Sequence, residues 1–258
     1  MWLLNRIRKI AAVGIRGAFL YKIGKTKKER LMTIPYVGQR LRVRSNGIDI
    51  GVAMTNAVDE FSELSKLFGE NTPLRLIDAG AFIGTSTIVL RNLFPDSTVV
   101  AIEPNKANFD LLSINLNQMT SVCLLNRALT GSEGQEIVLR DRNKGPWGYT
   151  SVSEPADSKN PAHLHPCRTV SLERLRRDLG SIDLIKMDIE GAEREVAISE
   201  RDELLEIPVI LVELHERISP GVESLFSDLL RGRDNKKNGE KMLSVDHDLL
   251  KSRLGLDY

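Results

Sequence analysis

The sequence predicts an α/β fold, a mostly parallel sheet with helices on both faces, and three observations predict it. From Leu74 onward short apolar runs alternate with helical patterns: "LRLIDA" with "TSTIVLRNLF", "TVVAIE" with "ANFDLLSINLNQ", "SIDLIKMDI" with "GAEREVAISERDELL", and "PVILVELH" with "VESLFSDLL". Runs buried on both faces and separated by helices of about 10–15 residues indicate βαβ units. Each run also stops at a polar residue, among them Asp78, Glu103, Asn126, Asp188 and Glu213. Open parallel sheets bind ligands beyond the carboxyl ends of their strands, so these residues gather where such a sheet builds its site. Third, a turn containing Gly80 and Gly84 follows the first run and leads straight into a helix opening at Thr85 or Ser86.

The chain has 258 residues and a net charge of +1, which excludes broad nucleic-acid binding as its main task. Its two cysteines, Cys123 and Cys167, have no metal-type spacing, so a reducing, cytoplasmic setting is expected. Charge is concentrated at the start: Arg6, Arg8, Lys9, Arg16, Lys22, Lys25, Lys27, Lys28 and Arg30 face a single acid, Glu29. A helical projection puts Leu3, Ile7, Ile10, Ala11, Gly14 and Ala18 on one face, with Arg8, Lys9 and Arg16 on the other. Arg16 breaks the apolar run, so a spanning helix or secretory signal is not expected. Residues 1–35 read as a basic amphipathic extension, either packed on its own domain or docked peripherally on an anionic membrane through residues 1–30.

Residues 36–258 read as one domain. Within it, 142–166 is rich in glycine and proline and long for a connection, which suggests a lid-like loop. Trp147 and Tyr149 would give that loop a stacking surface, and His163 and His165 form a weak metal pattern. The stretch "RGRDNKKNGEK" reads as a solvated loop before a last strand at "MLSV".

The turn after the first strand carries the most chemical information. A dinucleotide fingerprint would need glycines at 80, 82 and 85, yet the chain has Gly80, Phe82 and Thr85. The glycines that let a pyrophosphate settle on a helix N-terminus are therefore incomplete, and a nucleoside without phosphates fits better. Glu103 ends the next strand, about twenty residues on, where an acid accepts hydrogen bonds from both ribose hydroxyls. S-adenosylmethionine is a ligand of this kind.

The stretches "IDAGAFIGTST", "AIEPNKANFDLLSINL", "NRALTGSEGQEIVLR", "RTVSLERL", "IDLIKMDIEGAEREV" and "PVILVELHE" resemble, in this order, the FkbM-type S-adenosylmethionine-dependent methyltransferases. The resemblance covers roughly residues 36–216. It implies a Rossmann-like class I methyltransferase fold, seven-stranded with the last strand antiparallel. It also implies O-methylation of a hydroxyl on a sugar, glycan or natural product. Carried over by position, Asp78, Gly80, Ala81, Phe82, Gly84, Thr85 and Ser86 would hold the donor's amino-acid end. Glu103, with Pro104, Asn105 and Asn108 after it, would hold the ribose and border the adenosine. Ala128 and Leu129 would flank the adenine. The family's turn usually carries asparagine where this chain has Phe82, so a polar contact is expected to be missing there.

Lys186 and Asp188 stand two apart at the end of an apolar strand and so share a face. Methyl transfer to a hydroxyl needs an aligned oxygen and benefits from a positioned base. Asp188, beside the donor methyl, is the first candidate for that base and a further donor contact. Glu190 is the second candidate and His215 the third, with Lys186 neutralising charge nearby. Glu190, Glu193 and Glu195 would also suit the first turn of the next helix without chemistry. Asp188, Glu213 and His215 would form a hydrogen-bond network or, less simply, a divalent-ion site. Two other functions stay compatible with the sequence: a nucleotide-dependent oxidoreductase or epimerase, and a non-catalytic binding protein of the same fold.

Overall fold

The computed structural model describes residues 2–23, 29–45, 47–69, 72–157 and 164–256. Its N-terminal part comprises α1 (Trp2–Ile23), the hairpin β1 (Leu31–Tyr36) and β2 (Gln39–Arg44), α2 (Ile48–Thr55), a π-helical turn over Asn56–Glu60 and α3 (Leu64–Leu67). The alternating core follows: β3 (Arg75–Ala79), α4 (Thr85–Leu93), β4 (Thr98–Ile102), α5 (Lys106–Leu116) and β5 (Val122–Leu125). Next comes a small sheet of β6 (Ala128–Leu129), β7 (Glu136–Asp141), β8 (Tyr149–Thr150) and β9 (Leu164–Val170), then α6 (Leu172–Leu179). The chain returns to the core with β10 (Leu184–Met187), α7 (Glu193–Ser199), α8 (Arg201–Leu205), β11 (Val209–Glu213) and α9 (Val222–Leu229). It closes with β12 (Asp234–Asn238), β13 (Lys241–Val245) and α10 (His247–Leu254).

The main sheet has seven strands in the order β12-β13-β11-β10-β3-β4-β5. Strands β5, β4, β3, β10 and β11 run parallel, while β13 is antiparallel to both of its neighbours. This is the class I methyltransferase arrangement, with the antiparallel strand slotted between β11 and β12. Alternation along each strand separates two cores. Leu76, Leu184, Val209, Leu211 and Leu243 pack with the hairpin, α4 and α5. Ile77, Ala79, Ile185, Met187, Ile210 and Val212 pack with α6, α7 and α9 on the other face.

Three expectations need correction. The stretch Asp234–Asn238 is not a loop but the edge strand β12. An edge strand is half-exposed and tolerates charge, so its sequence carries no apolar signal. The expected boundary at residue 35 cuts through β1, whose Ile34 and Tyr36 are fully buried in the same core as Val13 of α1. The apolar face of α1 is also different: Val13 and Gly17 are buried, while Ile7 and Ala11 are exposed, and Ile15 and Phe19 lie exposed beside Arg16. The helix breaks at Gly14 (φ 68°, ψ 169°), a conformation glycine tolerates, and the break shifts the phase on which a single projection depends. Leu3 and His163 lie outside the described side chains. No described helix is long and apolar enough to cross a membrane.

Candidate active site

Register explains the charges at the end of an apolar strand. In the β3–β10 pairing Lys186 lies opposite Asp78, and the two side chains form a buried ion pair at 3.1 Å. The Lys186 ammonium also donates to the carbonyls of Gly80 (2.7 Å) and Ala79 (3.2 Å). Asp78 accepts from the hydroxyls of Ser86 and Thr87, both at 2.6 Å. Burial alone would lower the Lys186 pKa, but Asp78 and Asp188 hold it above its ordinary value. Lysine and aspartate together pin the glycine turn to the sheet from beneath. Asp78 is therefore fully buried support rather than a wall of the cavity.

Above this turn lies a cavity of about 460 Å³. Of the expected donor contacts, Gly80, Phe82, Thr85, Ser86, Glu103, Pro104, Asn108, Ala128, Leu129 and Asp188 line it. Asp78, Ala81, Gly84 and Asn105 do not. Ala81 is core, Gly84 packs against Leu112 and Leu116, and the Asn105 side chain caps α5. Glu103 is 5% exposed and accepts from the N–H groups of Phe82 (3.0 Å) and Asn105 (2.9 Å) and from the Asn108 amide (3.2 Å). Burial outweighs these bonds and pushes its pKa up to about 7.

Phe82 adopts φ 52°, a left-handed conformation that asparagine accepts far more easily than an aromatic residue. Its ring stays in place under the Arg44 guanidinium, 5.2 Å from the ring centroid. The backbone N–H reaches Glu103, a contact that does not depend on the side chain at this position.

Part of the glycine- and proline-rich segment closes one side of the cavity. Pro146, Trp147, Tyr149 and Ser151 line it, and Asn108 donates to the Pro146 carbonyl at 2.8 Å. Arg142, 2% exposed, pairs with Asp157 at 2.6 Å and with Glu190. His165 stacks edge-on against Tyr149 at 5.2 Å between centroids.

On its wall the cavity also carries a crowd of ionisable groups. Asp188, Glu190, Glu213 and Lys241 all line it. Burial alone would raise the Asp188 pKa, but Lys241, Lys186 and His215 hold the carboxyl well below its ordinary range. Asp188 is thus a firmly ionised acceptor of hydrogen bonds and a weak base. Burial raises Glu190 to about 7, with His215 and Arg142 opposing and Asp188 reinforcing the shift. Glu190 sits ahead of α7 at φ 53°, not in the helix's first turn as the sequence suggested.

His215 is 4% exposed and lies outside the cavity wall. Burial disfavours its charge, yet its bond through Nδ1 to Glu193 (2.8 Å), aided by Asp188 and Glu190, raises its pKa to about 9. The raised pKa favours the imidazolium, which has no lone pair to accept a proton. Glu193 is structural: its carboxylate also accepts from the N–H groups of Ile189 and Gly191.

Residues 78–233 match the family model described as the methyltransferase FkbM domain. The chain belongs to the FkbM methyltransferase family. It is 29% identical over 189 residues to "Methyltransferase sdnD" of Sordaria araneosa, an alignment covering 59% of this chain and 71% of that protein. It is 28% identical over 139 residues to "Methyltransferase 1" of Beauveria bassiana, covering 47% of this chain and 56% of that protein. The chain thus spans little more than half the length of the second relative. A crystal structure of methyltransferase FkbM from Methylobacillus flagellatus aligns at 18% identity with a TM-score of 0.44, covering 70% of this chain and 46% of that one.

The cofactor of this FkbM methyltransferase is S-adenosylmethionine, and the cavity fits it. A Cβ on Gly80 would lie 1.8 Å from the Asp188 carbonyl oxygen, so the turn can hug the sheet only as glycine, leaving the space above it open. Glu103 keeps acceptor capacity for a ribose, and apolar Ile102, Ala128 and Leu129 flank the same end. Lys241, Arg142 and Glu60 were not legible as site residues. Lys241 stands in a run of polar residues, and its partner across the β11–β13 pairing, Glu213, lies far away in sequence.

Proposed function

We propose that the protein transfers a methyl group from S-adenosylmethionine to a hydroxyl of a sugar, glycan or other small natural-product acceptor. One observation carries the reading: Glu103, Asp188 and Glu190, brought from separate strand ends, all line a single cavity. The bound donor supplies an electrophilic methyl on a sulfonium, whose carbon–sulfur electron pair returns to sulfur as the acceptor oxygen bonds to carbon. Glu190, poised near neutrality, takes the hydroxyl proton, and Asp188 accepts a hydrogen bond that orients the acceptor. The incomplete phosphate glycines speak against the nucleotide-dependent oxidoreductase alternative.

Calorimetry with S-adenosylhomocysteine tests the donor end. Glu103→Ala is expected to weaken binding by about 100-fold, since two charge-assisted hydrogen bonds are lost and the Phe82 and Asn108 contacts loosen. Unchanged affinity in a folded variant would remove Glu103 from the site. Labelled donor incubated with fractionated extract would identify the acceptor, on which the pH profile can then be measured. A base must be deprotonated to act, so the rate should fall about tenfold per unit below pH 6 and level off above pH 8, bracketing the Glu190 value of about 7. Glu190→Gln should lower turnover by about 100-fold or more and abolish that slope. A wild-type profile flat from pH 5.5 to 8 would reject Glu190 as the base.

A further inference from the structure

Asp188, Glu213 and His215 hold ligand-type atoms all within 4.8 Å of one another, a spacing suited to a shared cation. The Lys241 ammonium already occupies this cluster. Its Nζ lies 2.7 Å from Asp188 Oδ2 and 2.8 Å from Glu213 Oε2, with Glu60 Oε1 at 3.4 Å. The side chain is 6% exposed and enters from β13, directly across the antiparallel pairing from Glu213. Glu60 arrives from the π-helical turn, so three separate elements converge on one ammonium. The third side of the cluster is closed by His215, whose Nε2 is 3.7 Å from Asp188 and 3.5 Å from Glu213. Three buried or half-buried carboxylates this close repel one another strongly unless a cation lies among them.

We propose that Lys241 is the built-in cation of the acceptor end: it takes the position a divalent metal would take and fixes the Asp188 carboxylate toward the acceptor without one. Lys241 is a positioning residue in this role, acting through Asp188. A tethered ammonium neutralises one charge and leaves the spare lone pairs of Asp188 and Glu213 for a hydroxylic acceptor. A metal would neutralise two charges and claim those lone pairs itself. The inference rests on the cavity described above but needs neither donor nor acceptor for its test, so it can fail independently of the transfer reaction.

The probe is Mn²⁺ alone, titrated into the full chain and followed by paramagnetic resonance. The wild type should bind Mn²⁺ no better than its Asp188→Asn variant does. Lys241→Ala empties the ammonium position and should bind Mn²⁺ at least tenfold more tightly than wild type, with the gain lost in Lys241→Ala/Asp188→Asn. Mn²⁺ should also raise the melting temperature of Lys241→Ala and leave that of the wild type unchanged. Lys241→Ser, which keeps a short hydrogen-bonding group, gives the same readout should the alanine variant not fold. Tight wild-type Mn²⁺ binding that Asp188→Asn abolishes would overturn the proposal, because the site would then be a metal site with Lys241 beside it. Folded lysine variants that gain no Mn²⁺ affinity would overturn it equally, because the cluster would not be a cation position.

Discussion

Lys186→Met is expected to destabilise the protein by about 3–5 kcal/mol, the cost of removing one partner from a buried ion pair. Asp78 is 0% exposed, and the lysine is the cation paired with it. Two hydroxyls would remain to Asp78, but they donate hydrogen bonds without supplying charge. The carbonyls of Ala79 and Gly80 would lose a donor at the same stroke, so the turn that supports the donor site would loosen as the fold weakens. Denaturant titration should show the loss of stability, and calorimetry with S-adenosylhomocysteine should show weaker binding in whatever fraction stays folded. The double variant Lys186→Met/Asp78→Asn removes the stranded charge and should recover a large part of the stability, as coupled neighbours do. A single-variant loss below about 1 kcal/mol would mean that water or a rearranged side chain satisfies Asp78, and the account of the pinned turn would be wrong.

What could be read from the sequence was whatever short-range pattern encodes. The strands β4 and β11 are nearly continuous apolar runs, and β3 and β10 are interrupted inside only by Asp78 and Lys186, because both of their faces are covered; each ends where the crevice begins. Glu103 could be placed on the cavity wall because its position after the glycine turn is fixed by one βαβ unit. Residues whose role depends on pairing between distant segments were not found. Lys241 and Glu60 look like ordinary surface charges until β13 inserts beside β11 and the π-helical turn meets them both. Arg142 comes from an irregular segment where neither periodicity nor spacing gives a signal, yet its side chain is fully enclosed between Glu190 and Asp157. The sequence ranked Asp188 above Glu190 as base, and the surroundings that set the two apart were hidden for a related reason. Proximity could be inferred from the strand, whereas the three cationic groups that depress Asp188 and the burial that raises Glu190 belong to the assembled site. Asp78 was assigned to the donor by carry-over from the family resemblance, and what the sequence did not show is its register opposite Lys186, which pairs the two beneath the turn.

Gly80→Ala is the second variant with a large expected effect, and it tests how closely β3 and β10 are locked at the cavity floor. Gly80 has φ 77°, where any side chain is strained, and its added Cβ would fall 1.8 Å from the backbone oxygen of Asp188. A flexible side chain could swing away from such a contact, but a backbone carbonyl just past the end of β10 cannot move without disturbing the main-chain bonds beside it. The Asp188 N–H donates to the Ala79 carbonyl at 3.1 Å, and the Gly80 N–H donates to the Ile102 carbonyl at 3.0 Å. Strain of about 1–3 kcal/mol and overpacking of a similar size together suggest a loss of about 4 kcal/mol. For a domain of this size that corresponds to a melting temperature lower by roughly 8–16 °C. Gly134→Ala is the control: φ there is 66°, but nothing lies within 4 Å of the added carbon, so only conformational strain applies. Its melting temperature should fall by a few degrees at most. The gap between the two variants isolates the steric part, and relief of that clash would push Asp188 away from Lys241 and the acceptor end. Gly80→Ala should therefore lose donor-product binding even in its folded fraction, while Gly134→Ala keeps it. Equal melting temperatures for the two variants would show that the turn has room to yield, and the tight seating of the donor loop on Asp188 would have to be abandoned.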